Sequence, residues 1–342
     1  MSTDLFVAAS GWPASPLHEA VPPACRRGVE PAPPPSLDGG DAVVDFPEWR
    51  PRRPACHLVP AFSALGPDPY SFRFELSARA GGTWSPWVGG AAIGEPRFEP
   101  VAERADALTA EIDEVRASAP VEAIRLRLRV NAADPRALFA APWLVSLSAW
   151  DGESAATDGC KAGGAARLAV PAVSQMAEEE EIRLRICSPA SVAMVLAYYG
   201  ARVDLAALAR EIFHQGLDRF GVWPAAIVAA ARRGLAGYLL RFPDWASAAW
   251  CLERGMPVIA SVRYGAGELA GAAIAETTGH LLVLTGWEGG DVLVNDPAAA
   301  TAGEVARRYP LDGLRRVWLA RAGVGYVLFR PPTSPSGRSP RP

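Results

Sequence analysis

The chain has 342 residues, of which 50% are hydrophobic and 21% charged, with 34 basic and 37 acidic side chains. That is the composition of an ordinary globular protein, with length enough for two cores. The net charge of −3 and the absence of a basic stripe interleaved with aromatics argue against a nucleic-acid partner, and no run of eighteen apolar residues predicts a membrane-spanning helix.

Residues 1–40 are rich in Pro, Ala and Gly and end in PAPPPSLDGG, the texture of an extended or poorly ordered leader. From residue 41 the chain changes to short strand-like runs separated by turn signals: Ala42–Phe46, Cys56–Phe62, Tyr70–Ala78, Thr83–Val88, Ala107–Val115, Val121–Val130 and Trp143–Trp150. Apolar and polar residues alternate in Phe72–Leu76 and Ile124–Val130, so residues 41–150 are expected to form an antiparallel β-sandwich. The tryptophans of TWSPW (Thr83–Trp87) are expected to fill its core rather than to form a platform for a sugar or peptide, because bulky aromatics pack first. Cys56 and His57 are neighbours and point to opposite faces of a strand, so they do not chelate one metal. No other Cys/His cluster has zinc spacing, and Asp106 and Asp113 do not read as an acid/base pair.

Residues 151–169, beginning DGESAATDGCKAGGAA, have the small, polar, Gly-rich texture of a linker, and a second domain is expected over 170–331 before a disordered tail at 332–342. Five cysteines (Cys25, Cys56, Cys160, Cys187, Cys251) at irregular spacing suit a reducing compartment. With Asp4 and no basic segment at the N-terminus, the expected location is cytoplasmic.

In Ser174–Gly200 a glutamine and an acidic run precede a cysteine at the mouth of an apolar helix. Ser188 reads as its N-cap, Pro189 as its first residue, Val192, Val195, Leu196 and Tyr199 as its apolar stripe, and Gly200 as its stop. Cys187 then faces unpaired N–H groups and the positive end of the helix dipole, which favour a thiolate. The run Glu178–Glu181 reads as a solvated loop, with a bias towards basic substrates as the sharper hypothesis. Further helices are expected over Leu205–Phe213 with Asp204 as cap, Ala225–Arg233 and Trp245–Arg254, and strands over Tyr238–Phe242, Pro257–Val262, Val305–Tyr309 and Val324–Phe329. His214, closing the first of these helices, complements its dipole.

Leu281–Trp287 and Val292–Asn295 read as a hairpin about a Glu-Gly-Gly-Asp turn. In that register the residue opposite His280 falls near position 297 or 298, which sets Asp296 beside the imidazole although they are sixteen positions apart. With Cys187 the pair supplies a nucleophile, a base and an orienter. The amide of Gln175 and the N–H of Cys187 supply two donors for an oxyanion.

In this chain order Gln175, Cys187, His280 and Asp296 resemble the C39-like branch of the papain-like cysteine peptidases. The matching stretches are Ser174–Met176, Cys187–Gly200, Gly221–Pro224, Arg254–Ser261, Gly267–Gly271, Gly279–Trp287 and Val292–Ala298, although twelve positions separate Gln175 from Cys187, more than in papain. The resemblance implies a papain-like α+β domain behind a β-rich accessory region, acting as a thiol peptidase on a peptide or protein without metal or organic cofactor. The same residues serve an acyltransferase that intercepts the thioester with an amine, and the fold also serves a non-catalytic peptide-binding module. The ligand of the accessory region is not legible.

Overall fold

The computed structural model describes residues 2–66, 69–95, 98–152 and 165–331. Most of the expected linker, with Cys160, and the expected tail lie outside the described residues.

The first 150 residues build two sheets. Their strands are β1 (Thr3–Ser10), β2 (Arg26–Pro31), β3 (Ser36–Asp38), β4 (Asp41–Asp45), β5 (Ala55–Ala64), β6 (Tyr70–Ala80), β7 (Thr83–Trp84), β8 (Val88–Gly89), β9 (Arg104–Ala105), β10 (Leu108–Ala110), β11 (Val115–Val121), β12 (Ala123–Ala132) and β13 (Trp143–Trp150), with short helices α1 (Ala14–Glu19) and α2 (Pro135–Ala140). One sheet has the order β2-β1-β13-β5-β11-β10-β9 and the other β3-β4-β12-β6-β7. They meet through aromatic contacts such as Phe62 on β5 against Phe72 on β6, with ring centroids 5.4 Å apart.

Two expectations need correction. The supposed leader contains β1, an interior strand paired antiparallel with β13 and parallel with β2, so the sheet is mixed rather than purely antiparallel. Phe6 and Ala8 enter the core between the two sheets, while Leu5, Val7 and Ala9 enter a second core shared with the C-terminal half. A strand buried on both faces loses the polar alternation that marks a half-buried one. The tryptophans of TWSPW are not core residues either: Trp84 and Trp87 are half-buried and carry the guanidinium groups of Arg125 and Arg127 at 3.9 and 4.6 Å from their ring centroids.

The C-terminal half adds a seven-stranded sheet of β14 (Ala166–Arg167), β15 (Ala236–Arg241), β16 (Val258–Tyr264), β17 (Thr277–Glu288), β18 (Asp291–Asn295), β19 (Ala306–Pro310) and β20 (Val324–Phe329). Its order is β15-β20-β16-β17-β18-β19, with β14 on the far end of β17. The helices are α3 (Cys187–Tyr198), α4 (Leu205–Ile212), α5 (Trp223–Ala231), α6 (Trp245–Glu253) and α7 (Leu311–Val317). Leu281 and Val283 of β17 share a core with α3, α4 and α5, whereas Leu282 and Leu284 share one with α6 and α7. Alternate residues of one strand thus anchor helices on both faces, which explains the unbroken apolar run LLVL.

The two halves are joined along a strand edge. β15 pairs with β20 on one side only, and on its open side the Gly237 and Arg241 N–H groups donate to the buried hydroxyls of Ser63 on β5 and Ser148 on β13 at 3.3 and 3.0 Å. An open strand edge is a template for unwanted pairing, and here the N-terminal sheet covers it. His214 is a second tie, its Nε2 lying 2.7 Å from the Ala92 carbonyl.

Candidate active site

Helix α3 begins two residues earlier than its sequence suggests. Ile186, without a side-chain cap, is the N-cap, and Ser188 lies inside the first turn with Oγ 3.3 Å from the Tyr326 hydroxyl. Residues Ser188 to Leu196 are all buried, so the helix is held by tertiary packing rather than by a cap. Cys187 becomes the first helical residue, half-buried, where backbone N–H groups have no intrahelical partner. Ser191, one turn on and on the same face, donates to the Leu281 carbonyl at 3.2 Å and so clamps the helix to β17 beside His280.

His280 lies opposite Val262 of β16 and is 3% exposed. The β17–β18 hairpin runs from the pair Glu288–Asp291 to Val283–Asn295, with a bulge between Leu284 and Gly286. Continuing that register brings His280 to the turn that starts at Asp296, and the His280 Nε2 to Asp296 Oδ1 distance is 2.7 Å. Nε2 is thereby committed, which leaves Nδ1 as the ring nitrogen free to serve the Cys187 thiol.

Asp296 is fully buried, so each of its acceptor sites needs a partner. Besides His280, the Ala298 N–H donates to Oδ1 at 3.0 Å and the Tyr309 hydroxyl donates to Oδ2 at 2.6 Å. Tyr309, on β19 opposite Val292, escapes sequence reading because the third strand of the meander, not the motif, carries it to the carboxylate.

The electrostatics follow from these contacts. Burial opposes ionisation of Cys187, but the hydrogen bond and charge of His280, with the Leu281 amide, outweigh it and lower the thiol pKa. Burial opposes protonation of His280, but Asp296 and then Cys187 raise its pKa well above the ordinary imidazole range. Burial opposes the charge on Asp296, which His280, Tyr309 and the Ala298 amide nevertheless hold below the usual carboxylate value. These shifts favour a thiolate beside an imidazolium beside a carboxylate.

Gln175 is brought near this group without bonding to it. Its N–H donates to the Pro297 carbonyl at 2.9 Å, next to Asp296, and Ser174 Oγ donates to the Ala299 carbonyl at 2.6 Å. Its Nε2 donates to the Arg183 carbonyl at 2.6 Å, and its buried Oε1 has no partner among the described residues.

Cys187 opens into a cleft of about 790 Å³. Gly221, Trp223, Gly279 and Leu281 line it from the C-terminal half, and His57, Val59, Asp113, Glu114 and Trp150 from the N-terminal sheets. Asp113 Oδ1 accepts from the Trp223 N–H at 2.8 Å, so a carboxylate of one half sits on the first residue of α5 in the other. Burial outweighs that bond and pushes its pKa up to about 7. Neither this contact nor the cleft wall has a local sequence signal, since both arise where the two halves of the chain share one core.

Residues 167–326 match the model of the Peptidase_C39 like family. These residues form a domain of that family. Among solved structures, a double glycine motif protease from an AMS/PCAT transporter, in complex with its leader peptide, is 23% identical over 48% of this chain and 94% of its own, with a TM-score of 0.35. A protein described as a C39-like peptidase from Bacillus anthracis is 16% identical over 50% of this chain and 100% of its own, with a TM-score of 0.38. No curated protein matches the chain. Among the described residues of the C39-like domain and the region before it, no helix is long and apolar enough to cross a membrane.

Proposed function

We propose that the chain is a cysteine peptidase whose C39-like domain cleaves peptide bonds and whose N-terminal two-sheet region, read as a β-sandwich, walls the cleft. The observation that carries this reading is the 2.7 Å contact of His280 with buried Asp296, on the imidazole that lowers the pKa of Cys187 in the lining of a cleft. The Cys187 thiolate attacks the peptide carbonyl and the His280 imidazolium protonates the departing amine. Water, deprotonated by the now neutral imidazole, then hydrolyses the thioester. Asp296 keeps the ring in the orientation and charge state that both steps need.

In this reading the Cys187 N–H and the second N–H of the Gln175 amide stabilise the oxyanion, because the Pro297 and Arg183 carbonyls fix Gln175 beside the turn that carries Asp296. The test is incubation of wild type and Cys187→Ala with a thiol-directed activity probe and a diverse peptide library. Wild type is expected to be labelled at Cys187 and to produce new termini, while Cys187→Ala does neither. An added amine that appears in the products would shift the reading to acyl transfer. A labelled Cys187 with no product of either kind would leave a peptide-binding module.

A further inference from the structure

The charge lining the cleft does not cancel. Six arginines face it: Arg116, Arg185, Arg219, Arg241, Arg263 and Arg321. Arg116 is held by Glu114 at 2.6 Å and Glu111 at 3.3 Å, Arg185 by Asp218 at 2.8 Å, and Arg321 by Glu268 at 2.7 Å. Arg241 is buried, lies 4.1 Å from the Trp150 ring centroid, and donates to the carbonyls of Phe242 and Leu319. Arg219 and Arg263 remain exposed, and neither guanidinium has an ion-pair partner among the described residues.

The carboxylates of the same cleft do not offset them. Glu111 and Glu114 are committed to Arg116, and Glu114 also to His57 at 3.2 Å. Asp113 feels the charge of Arg219, but burial keeps much of it protonated near neutral pH. The run Glu178–Glu181 lies ahead of α3 and is not among the residues lining the cleft, and Glu179, Glu180 and Glu181 are exposed.

Resting on the peptidase reading, we propose that Arg219 and Arg263 hold a carboxylate of the substrate, so that the cleft selects peptides with an acidic side chain or a free C-terminus near the scissile bond. A guanidinium presents a planar fork that matches a carboxylate, and between exposed groups the pairing is screened by salt. His57, Val59 and Trp150 line the same cleft as these two groups and supply a wall for the peptide.

The test uses the full chain carrying Cys187→Ala, so that binding is read without turnover. The probes are fluorescein-labelled Gly/Ala heptapeptides with one Glu, Gln or Lys, each made with a free or an amidated C-terminus, and the readout is fluorescence anisotropy at low salt. Glu peptides are expected to bind about tenfold or more tightly than Lys peptides, with a preference that shrinks as salt is added. A difference confined to free against amidated termini would assign the carboxylate to the chain end instead of a side chain. Arg219→Gln with Arg263→Gln should erase the preference and Arg219→Glu with Arg263→Glu should reverse it, with unchanged melting temperatures showing that both fold. Equal binding of all probes, or a preference for Lys in the parent protein, would overturn the proposal. Labelling of Cys187 in the wild-type chain is independent of these arms, so their failure is distinguishable from failure of the peptidase reading.

Discussion

Tyr309→Phe removes the hydroxyl that donates to Asp296 Oδ2 and leaves one oxygen of a buried carboxylate without that partner. The expected cost is about 1–3 kcal/mol of stability. The readout that separates positioning from mere structure is the pH profile. The Asp296 pKa should rise, the imidazolium should weaken, and kcat should fall more than KM changes. Gln175→Ala is expected to lower kcat by about 10²–10³-fold while thiol labelling persists, because an oxyanion donor acts after the thiolate exists. The sign of the wild-type profile follows from the two shifted groups. The Cys187 pKa is lowered and the His280 pKa is raised, so the ion pair exists between them. Activity should therefore fall on the acid side as the thiolate is protonated, and on the alkaline side as the imidazolium is lost.

Among the elements, α5 depends on a carboxylate from outside its own domain. Asp113 caps Trp223 at 2.8 Å, worth about 1 kcal/mol as a cap, yet its pKa is raised to about 7 by burial. A carboxyl whose folded pKa exceeds its unfolded value of about 3.9 stabilises the fold fully below that value and loses the contribution as pH rises towards 7. Asp113→Asn keeps an acceptor without the charge. It should flatten the pH dependence of the melting temperature between about pH 4 and 7 and raise stability at pH 8 by about 1–2 kcal/mol, discounted for partial exposure. A lower melting temperature at pH 8 would contradict this. The β17–β18 hairpin was the legible element: two apolar runs about the Glu-Gly-Gly-Asp turn set its register, and the bulge between Leu284 and Gly286 adjusts it without separating His280 from Asp296. The cap of α3 was not, because nine consecutive buried residues make the helix start a matter of packing rather than of the Ser-Pro signal.

For the molecule as a whole, Pro-rich composition hid the most consequential strand. β1 sits between two cores and, with β5 and β13, forms the face against which β15 rests. Contacts between sheets of different halves carry no periodic signal, so neither the covered edge nor the shared cleft could be read from the chain. A protein starting at residue 165 would expose the Gly237 and Arg241 edge of β15 together with the apolar surface that β1 now covers. It is expected to aggregate on size-exclusion chromatography where the full chain does not. A monodisperse, cooperatively melting truncation would show that the N-terminal sheets are dispensable for the fold of the C39-like domain.

The most direct test of the charged Cys187–His280 pair is the rate of iodoacetamide alkylation at Cys187 against pH, read by peptide mapping, in wild type and His280→Ala. The expected result is a fast plateau reached well below the ordinary thiol pKa and abolished by His280→Ala. A single rise near the ordinary thiol value, the same in both proteins, would contradict it.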